Sequence, residues 1–321
     1  MKAIVFTKYG PPQTLRWQEV PRPIPKEGEV LVKVNATAIN DYDWSLVRGK
    51  PYPYRLMFGL RRPKHQIPGM ELSGVVEACG PGAQTFAVGD AVFGDTSDYG
   101  FGSFAEYVCI GERALAKKPD NISFEEAAAL PHASLLAWQG LHELGKIRQG
   151  QSILINGAGG GVGTFGLQLA KLYDCEVTGV DTGIKVKAMK LMGFDRVIDY
   201  QQEDFTRSGV AYDLILDCKT NRSAFSYLRS LRPGGTYVTV GGTVSRLLQM
   251  LLLSKPISWL YKKHLRILSL KPNKGLERIG HFCAEGKIKC TIDGPHPLEK
   301  TPELLQYFGE GKHFGKVIVC P

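Results

Sequence analysis

The segment ILINGAGGGVGTFGLQLAK, residues 153–171, joins an apolar run to a helical pattern through a cluster of glycines. A glycine turn between a strand and a helix lets a phosphate approach the backbone, where the helix N-terminus supplies amide donors. A further apolar segment follows and ends at Asp181, as in βαβ units that bind dinucleotides. No Gly-Lys-Ser/Thr follows the glycines, which excludes a P-loop. We therefore predict a dinucleotide-binding loop, against the alternative of a turn kept only for helix–sheet packing.

Two registers of the glycine motif are possible. The literal match places its glycines at 161, 163 and 166, which runs deep into the helical pattern. The register that we favour begins closer to the strand, with Ala158 in place of the first glycine. The expected cofactor contacts in this loop are Gly160, Gly161, Val162 and Gly163.

The order of the predicted strands and helices indicates two domains. The first 115 residues are rich in strand-like segments with glycine and proline between them, which is typical of an antiparallel β-barrel. From Ser152 onward, short apolar strands alternate with helical patterns, which indicates βαβ units and a parallel sheet. The closing segment GKVIVC resembles the first third again. We predict an α/β protein with a β-barrel domain at 1–118 plus 285–321 and a Rossmann domain at 119–284.

Composition limits the class of protein further. Hydrophobic residues make up 43% of the chain and charged residues 22%, as in ordinary globular proteins. The net charge of +9 is not arranged in basic blocks interleaved with aromatics, so we expect no nucleic-acid partner. The seven cysteines form no CxxC pair, and the N-terminus MKAIVF has the pattern of a strand. Reduced thiols and a cytoplasmic location are therefore predicted.

The segment RLLQMLLLSKPISWLYKKHLRI, residues 246–267, allows two interpretations. Its apolar clusters and basic residues suit a helix that lies on a membrane surface. Such a segment is more often a core helix or a dimer-forming helix of the Rossmann half, and this second interpretation is the one that we favour.

Four motifs together resemble the zinc-independent quinone oxidoreductase branch of the medium-chain dehydrogenase/reductase family. They are IPGMELSGVV (67–76), AALPHASLLAWQGL (128–141), AGGGVGTFGLQLAK (158–171) and LRPGGTYVTVGG (231–242). The resemblance runs nearly end to end. It implies a GroES-like β domain, an inserted Rossmann domain, and transfer of a hydride from a nicotinamide to a quinone or an α,β-unsaturated carbonyl. It also implies a small-molecule acceptor and a homodimer formed through the edge of the Rossmann sheet.

The resemblance predicts no zinc. Zinc enzymes of the family have a cysteine ligand where this chain has Asn40 and a histidine ligand where it has Met70. A neutral amide and a thioether do not replace thiolate and imidazole as zinc ligands. Without a Lewis acid, reduction of an electron-poor acceptor is easier to support than oxidation of an alcohol.

For the acceptor side, the resemblance implies Asn40 and Tyr52 as catalytic residues. Asn40 would orient the carbonyl and also contact the nicotinamide, whereas on chemistry alone it could equally cap the end of a strand. Tyr52 could equally be a packing residue of its loop. This loop belongs to a basic segment, residues 48–65, that could either steer anions or be a solvated surface. A leucine, Leu136, stands where the family has a threonine beside the nicotinamide.

The sequence carries conflicting signals about the cofactor. Asp181 ends the second strand, where a carboxylate favours NADH by binding the ribose hydroxyls. Lys185 and Tyr200 align with residues around the 2′-phosphate of NADPH in the family, although Lys185 could simply be an exposed lysine on a helix. We predict NADPH, with NADH as the alternative. The remaining expected cofactor contacts are Gly241 and Lys316.

Two other functions remain possible for this sequence. The first is a catalytically weak nucleotide-binding scaffold, which the leucine at position 136 keeps open. The second is a protein of the same fold that associates with a membrane surface.

Overall fold

The fold was analysed in a computed structural model that describes residues 1–321. Fifteen strands are present. In chain order they are β1 (Lys2–Val5), β2 (Arg16–Glu19), β3 (Glu29–Ile39), β4 (Glu71–Cys79), β5 (Ala91–Asp95), β6 (Tyr107–Gly111), β7 (Ala116–Lys117), β8 (Ser152–Asn156), β9 (Glu176–Asp181), β10 (Arg196–Asp199), β11 (Tyr212–Asp217), β12 (Leu231–Thr239), β13 (His264–Ile267), β14 (Ile292–Pro297) and β15 (Lys316–Cys320).

Ten α-helices accompany the strands. They are α1 (Asp41–Arg48), α2 (Tyr54–Phe58), α3 (Phe124–Ala129), α4 (Pro131–Trp138), α5 (Gly161–Lys171), α6 (Val186–Met192), α7 (Ala224–Arg229), α8 (Val244–Tyr261), α9 (Leu276–Ala284) and α10 (Thr301–Gly309). Helix α3 begins with a reciprocal capping box, in which Ser123 and Glu126 each bind the backbone amide of the other.

The chain divides into two compact units. The first contains residues 1–132, 272–286 and 292–321, and the second contains 133–271 and 287–291. The sequence-based division places the first change of domain at 118, whereas the structure keeps α3 with the first unit. One reason lies in the packing: α3 lies against β3 and β4, and the backbone carbonyl of Phe124 accepts a hydrogen bond from Ser73 of β4.

The first unit is built on a seven-stranded, mainly antiparallel sheet. Its order is β14-β15-β3-β4-β5-β7, and β6 pairs with β3. Strand β15, from the far end of the sequence, pairs antiparallel with β3, which places Val317 opposite Ile39. Apolar side chains from these strands form two buried clusters, one of which contains Ile39, Met70 and Val317. The C-terminal strands β14 and β15 therefore belong to the sheet of the first unit.

The second unit is a six-stranded parallel sheet in the order β10-β9-β8-β11-β12-β13. Counted from β8, this is the strand order 3-2-1-4-5-6 of a Rossmann domain. Strand β8 begins at Ser152, where the sequence predicts the first strand of the alternating pattern. At the edge of the sheet, β13 pairs parallel with β12, and His264 lies opposite Thr236. The predicted fold class is confirmed.

Candidate functional site

The glycine loop follows β8 directly, and α5 begins at its end. Gly157 has a φ of +88°, a backbone conformation that favours glycine, and Gly160 caps α5 with extended geometry. No side chain caps the first amides of α5, so they are available to an anion. At Gly163 a Cβ would lie 2.4 Å from the carbonyl oxygen of Ala158, so this glycine lets the helix approach the turn.

The carboxyl end of β9 supplies a buried ion pair beside this loop. Oδ2 of Asp181 accepts a 2.8 Å hydrogen bond from the amide of Gly159, and its Oδ1 lies 3.6 Å from Nζ of Lys185. Lys185 is only 5% exposed, so the interpretation of an exposed helix lysine is wrong. Burial lowers the pKa of Lys185, and the Asp181 carboxylate opposes that shift. The loop, the acid and the lysine thus form one continuous polar site.

Tyr200 and Gly241 lie at the ends of the neighbouring strands. The amide of Tyr200 donates to the carbonyl of Asp181 at 3.1 Å, and the Tyr200 side chain is exposed. Gly241 follows β12, where its amide donates to the hydroxyl of Thr239 at 3.2 Å. A Cβ at Gly241 would meet no atom within 4 Å, so the space beside it is open. The predicted residues of the second unit therefore all lie at carboxyl ends of the parallel strands or in the helix start, where such sheets bind ligands.

A buried hydrogen-bond network that was not predicted supports this edge of the sheet. Asp217, at the end of β11, accepts from Asn156 at 2.8 Å, from the Tyr237 hydroxyl at 2.7 Å and from the Thr220 amide at 3.0 Å. Because a buried polar group needs its partners, these bonds fix the ends of β8, β11 and β12 relative to one another. A carboxylate at the end of an apolar strand, as in LILDC, is the sequence signal for such a network.

In the first unit, a buried cluster joins Asn40 to Lys316. The Lys316 ammonium donates to Oδ1 of Asn40 at 2.6 Å and pairs with Oε1 of Glu71. Nδ2 of Asn40 donates to the same Glu71 oxygen at 2.8 Å and to the carbonyl of Ala38 at 3.2 Å. Both amide hydrogens of Asn40 are therefore engaged. Glu71, which the sequence analysis missed, is the centre of this cluster and is completely buried.

The donor set of this cluster does not fit zinc. Met70 is fully buried among apolar side chains, and the Lys316 ammonium occupies Oδ1 of Asn40 and Oε1 of Glu71. No group of three or more histidine, cysteine, aspartate or glutamate side chains is placed to hold a metal ion. We derive no chemical step through a metal at this position.

His132 extends the cluster toward the aromatic side chains of α1. Its backbone amide donates to Oε2 of Glu71 at 2.8 Å, and its Nδ1 lies 2.9 Å from Oδ2 of Asp95. Burial alone would lower the pKa of His132, but the hydrogen bond and charge of Asp95 outweigh it, and the pKa is raised. The rings of Tyr42 and His132 are 6.4 Å apart, and Tyr54 packs on Tyr42 at 5.7 Å.

Tyr52 does not reach this cluster. Its side chain is 65% exposed, and its ring contact is the Arg55 guanidinium at 5.1 Å. The basic segment that contains it folds partly into α2, and Nε of Arg55 donates to the carbonyl of Gly49 at 3.0 Å. Of the tyrosines in this region, Tyr54 and Tyr42 are the ones that lie toward His132.

Asp43 gives the cluster a pH dependence. It is fully buried, and this burial raises its pKa to about 7, although amide hydrogen bonds from Asn40 and Gly69 favour the carboxylate. The folded state therefore holds a proton that the unfolded chain releases near pH 4, so this contribution to stability is present at low pH and is lost as the pH rises through 7.

We expect Asp43→Asn to flatten the decrease in the free energy of unfolding between about pH 4 and pH 7. Urea denaturation of the wild type and the variant at several pH values measures this difference. The exposed Asp41, two residues earlier on α1, provides the matched control Asp41→Asn, which should leave the pH dependence of the free energy of unfolding unchanged. Parallel profiles for the wild type and Asp43→Asn would show that Asp43 is ionised throughout.

Comparison with known proteins gives matches over the whole chain. Residues 26–120 match the family described as "Alcohol dehydrogenase GroES-like domain", and residues 192–319 match "Zinc-binding dehydrogenase". The chain is 30% identical to the chloroplast envelope quinone oxidoreductase homolog of Arabidopsis thaliana, covering 100% of this chain and 98% of that protein. It is 31% identical to the 2-methylene-furan-3-one reductase of Solanum lycopersicum, covering 100% of this chain and 79% of that protein. The solved quinone oxidoreductase of Coxiella burnetii superimposes with a TM-score of 0.86 at 26% identity, covering 100% of this chain and 99% of that one.

Proposed function

Because the chain belongs to the medium-chain dehydrogenase/reductase family, we propose that it is an NADPH-dependent reductase of quinones or α,β-unsaturated carbonyls. The observation that carries this proposal is the glycine loop with the buried Asp181–Lys185 pair beside it. Relatives whose names describe reduction of a quinone, a furanone and an alkenal or enone support the acceptor class.

In this proposal, the second unit binds the cofactor. The uncapped amides at the start of α5 bind the pyrophosphate, and the open space beside Gly241 leaves room for the cofactor. When bound, the nicotinamide supplies a hydride to the acceptor. We expect NADPH rather than NADH, because the Asp181 carboxylate is already engaged by Gly159 and Lys185 and so repels a 2′-phosphate less.

For the acceptor, we propose that Asn40 and the Glu71–Lys316 pair provide a preorganised polar surface. Hydrogen-bond donors held in place by a buried network stabilise charge on a carbonyl oxygen without reorganisation. Asn40 can donate to a carbonyl only by giving up one of its present bonds, and the bond to Ala38 is the longer, at 3.2 Å. The exposed Tyr52 would contact the acceptor at the rim of the acceptor site. A homodimer through an edge of the Rossmann sheet and a cytoplasmic location remain predictions from the sequence.

The proposed reaction is tested by NADPH oxidation, followed by the loss of its absorbance, with a benzoquinone or an aliphatic enone as acceptor. Oxidation that requires the acceptor supports the proposal. Tight NADPH binding without oxidation by any acceptor of either class would instead identify a nucleotide-binding scaffold, the function that Leu136 leaves open. No binding of either nicotinamide nucleotide would contradict both functions.

We expect Lys185→Ala to weaken NADPH binding about tenfold or more while NADH binding changes little. A charge-assisted hydrogen bond to a phosphate contributes about 1.5–3 kcal/mol, and the variant also leaves Asp181 uncompensated. Fluorescence titration with the two nucleotides in parallel measures the ratio. Lys190→Ala, an exposed lysine on α6, is the matched control. An equal loss for both nucleotides would assign Lys185 to the fold rather than to the 2′-phosphate.

A further inference from the structure

Helix α8 carries an exposed apolar stripe along one face. Val244, Leu248, Leu251, Leu252 and Trp259 recur at spacings that place them on the same side of the helix, and all five are exposed. Leu251 is 63% and Trp259 is 83% exposed. The opposite face packs on the sheet through the buried Met250 and Ile257. The prediction that this segment is a core helix therefore holds for only one of its faces.

The chain around this stripe is purely basic. Residues 218–271 contain ten lysines and arginines and no aspartate or glutamate, whereas the whole chain has a net charge of only +9. Arg222 and Arg232 pair with carboxylates from outside this stretch, at 3.2 and 2.7 Å. Lys255, within the stripe, and Lys262, at its end, are exposed and form no ion pair. This surface thus combines apolar side chains with uncompensated positive charge.

We propose that the α8 stripe binds the surface of an anionic lipid bilayer. Leucine and tryptophan side chains of an interfacial helix enter the headgroup region, while lysines attract anionic lipids. Lys255 has a long apolar stem that allows its ammonium to reach the headgroups from within the stripe. No helix of the protein is long and apolar enough to cross a bilayer, so the contact is with the surface.

The positive charge of segment 218–271 argues against a second copy of this chain as the binding partner of the α8 stripe. Two copies that met through the α8 stripe would bring two acid-free basic segments together, and neither offers a carboxylate from that segment. Like charges at an interface cost several kcal/mol of binding free energy. An anionic lipid surface neutralises the positive charge of this segment, whereas a second copy would add like charge beside it. The proposal concerns binding and does not depend on the reductase activity.

Vesicle flotation tests the proposal. We expect the protein to float with vesicles of phosphatidylcholine and phosphatidylserine, to stay unbound with pure phosphatidylcholine, and to dissociate as salt is raised. Trp259 fluorescence should shift to shorter wavelength on binding, and Trp259→Phe should remove this shift while the other three tryptophans remain. Leu251→Ser with Trp259→Ser should abolish flotation. Lys255→Gln with Lys262→Gln should lower the partition coefficient about 30-fold, since each charge contributes about fivefold.

Matched control variants distinguish a specific role of the α8 stripe from a general effect of removing exposed apolar or basic side chains. Ile184→Ser with Leu191→Ser removes two exposed apolar side chains elsewhere in the second unit, and Lys8→Gln with Lys300→Gln removes two exposed lysines. Both should bind vesicles like the wild type, and circular dichroism should show that every variant is folded. Absence of flotation, or flotation that survives the serine substitutions, overturns the proposal. If the serine variant of Leu251 and Trp259 differed from the wild type in oligomeric state on sedimentation but still floated with vesicles, the stripe would be assigned to contact with a second copy.

Discussion

Replacing Lys316 by methionine is expected to lower the free energy of unfolding by about 3–5 kcal/mol, because it leaves the carboxylate of Glu71 buried without its charge partner. Both side chains are almost completely buried, so water cannot replace the lost ammonium. Asn40 loses the hydrogen bond to its Oδ1 at the same time. Urea denaturation followed by circular dichroism measures the change, with the dependence on urea concentration showing whether unfolding stays two-state.

The Lys316→Met, Glu71→Gln double variant distinguishes the ion pair from packing. A glutamine removes the buried charge and has one acceptor oxygen, so it keeps the hydrogen bond from either Asn40 or His132. Because the unpaired charge is gone, the double variant should be more stable than Lys316→Met alone. Lys300→Met, at an exposed position, is the surface control and should change the stability by less than about 0.5 kcal/mol. Equal stabilities of the single and double variants would mean that the lysine stem, and not its charge, stabilises the site.

Gly163→Ala is expected to weaken NADPH binding by at least about tenfold, or 1.4 kcal/mol, and to destabilise the fold by about 1–3 kcal/mol. The added Cβ would lie 2.4 Å from the oxygen and 2.5 Å from the Cα of Ala158. These are backbone atoms, so the start of α5 has to move away from the turn. The amides that we propose for the pyrophosphate move with it. Fluorescence titration and thermal unfolding measure the two effects.

Gly166→Ala is the matched control on the same helix. Its Cβ would meet Cδ1 of Ile155 at 3.1 Å and Cδ2 of Leu216 at 3.3 Å, which are the ends of flexible side chains. The higher helix propensity of alanine, about 1 kcal/mol, offsets part of that crowding. NADPH binding should therefore change little. Wild-type affinity in Gly163→Ala would contradict the register that places Gly163 in the cofactor loop.

The Rossmann half was largely predictable because its signals are local. The strand SILIN, the glycine turn and the helix that follows are contiguous in the sequence. Asp181 and Lys185 are four residues apart, so their proximity also follows from local geometry. What the sequence did not show is that Lys185 is buried, because burial depends on the loop that covers it.

The Glu71–Lys316 pair could not be found in the same way. Its two residues are 245 positions apart, and they meet because β15 returns to β3 and β4 follows β3 in the sheet. The charged Glu71 at the start of an apolar strand was the available sequence signal, but it does not indicate which residue pairs with it. Which faces of α8 are exposed could not be predicted for a related reason, since a pattern of leucines does not tell which faces of a helix the rest of the fold covers.

The return of β15 has a consequence for the order of synthesis on the ribosome. The strands β8 to β13 of the second unit are contiguous in sequence, so their sheet can form while the last fifty residues are still inside or near the ribosome. The first unit emerges earlier, yet the Thr37–Ile39 end of β3 lacks its partner strand and Glu71 lacks its lysine until residue 316 is released. The domain that starts first is therefore completed last, and during that interval this short strand edge is exposed to pairing with another chain.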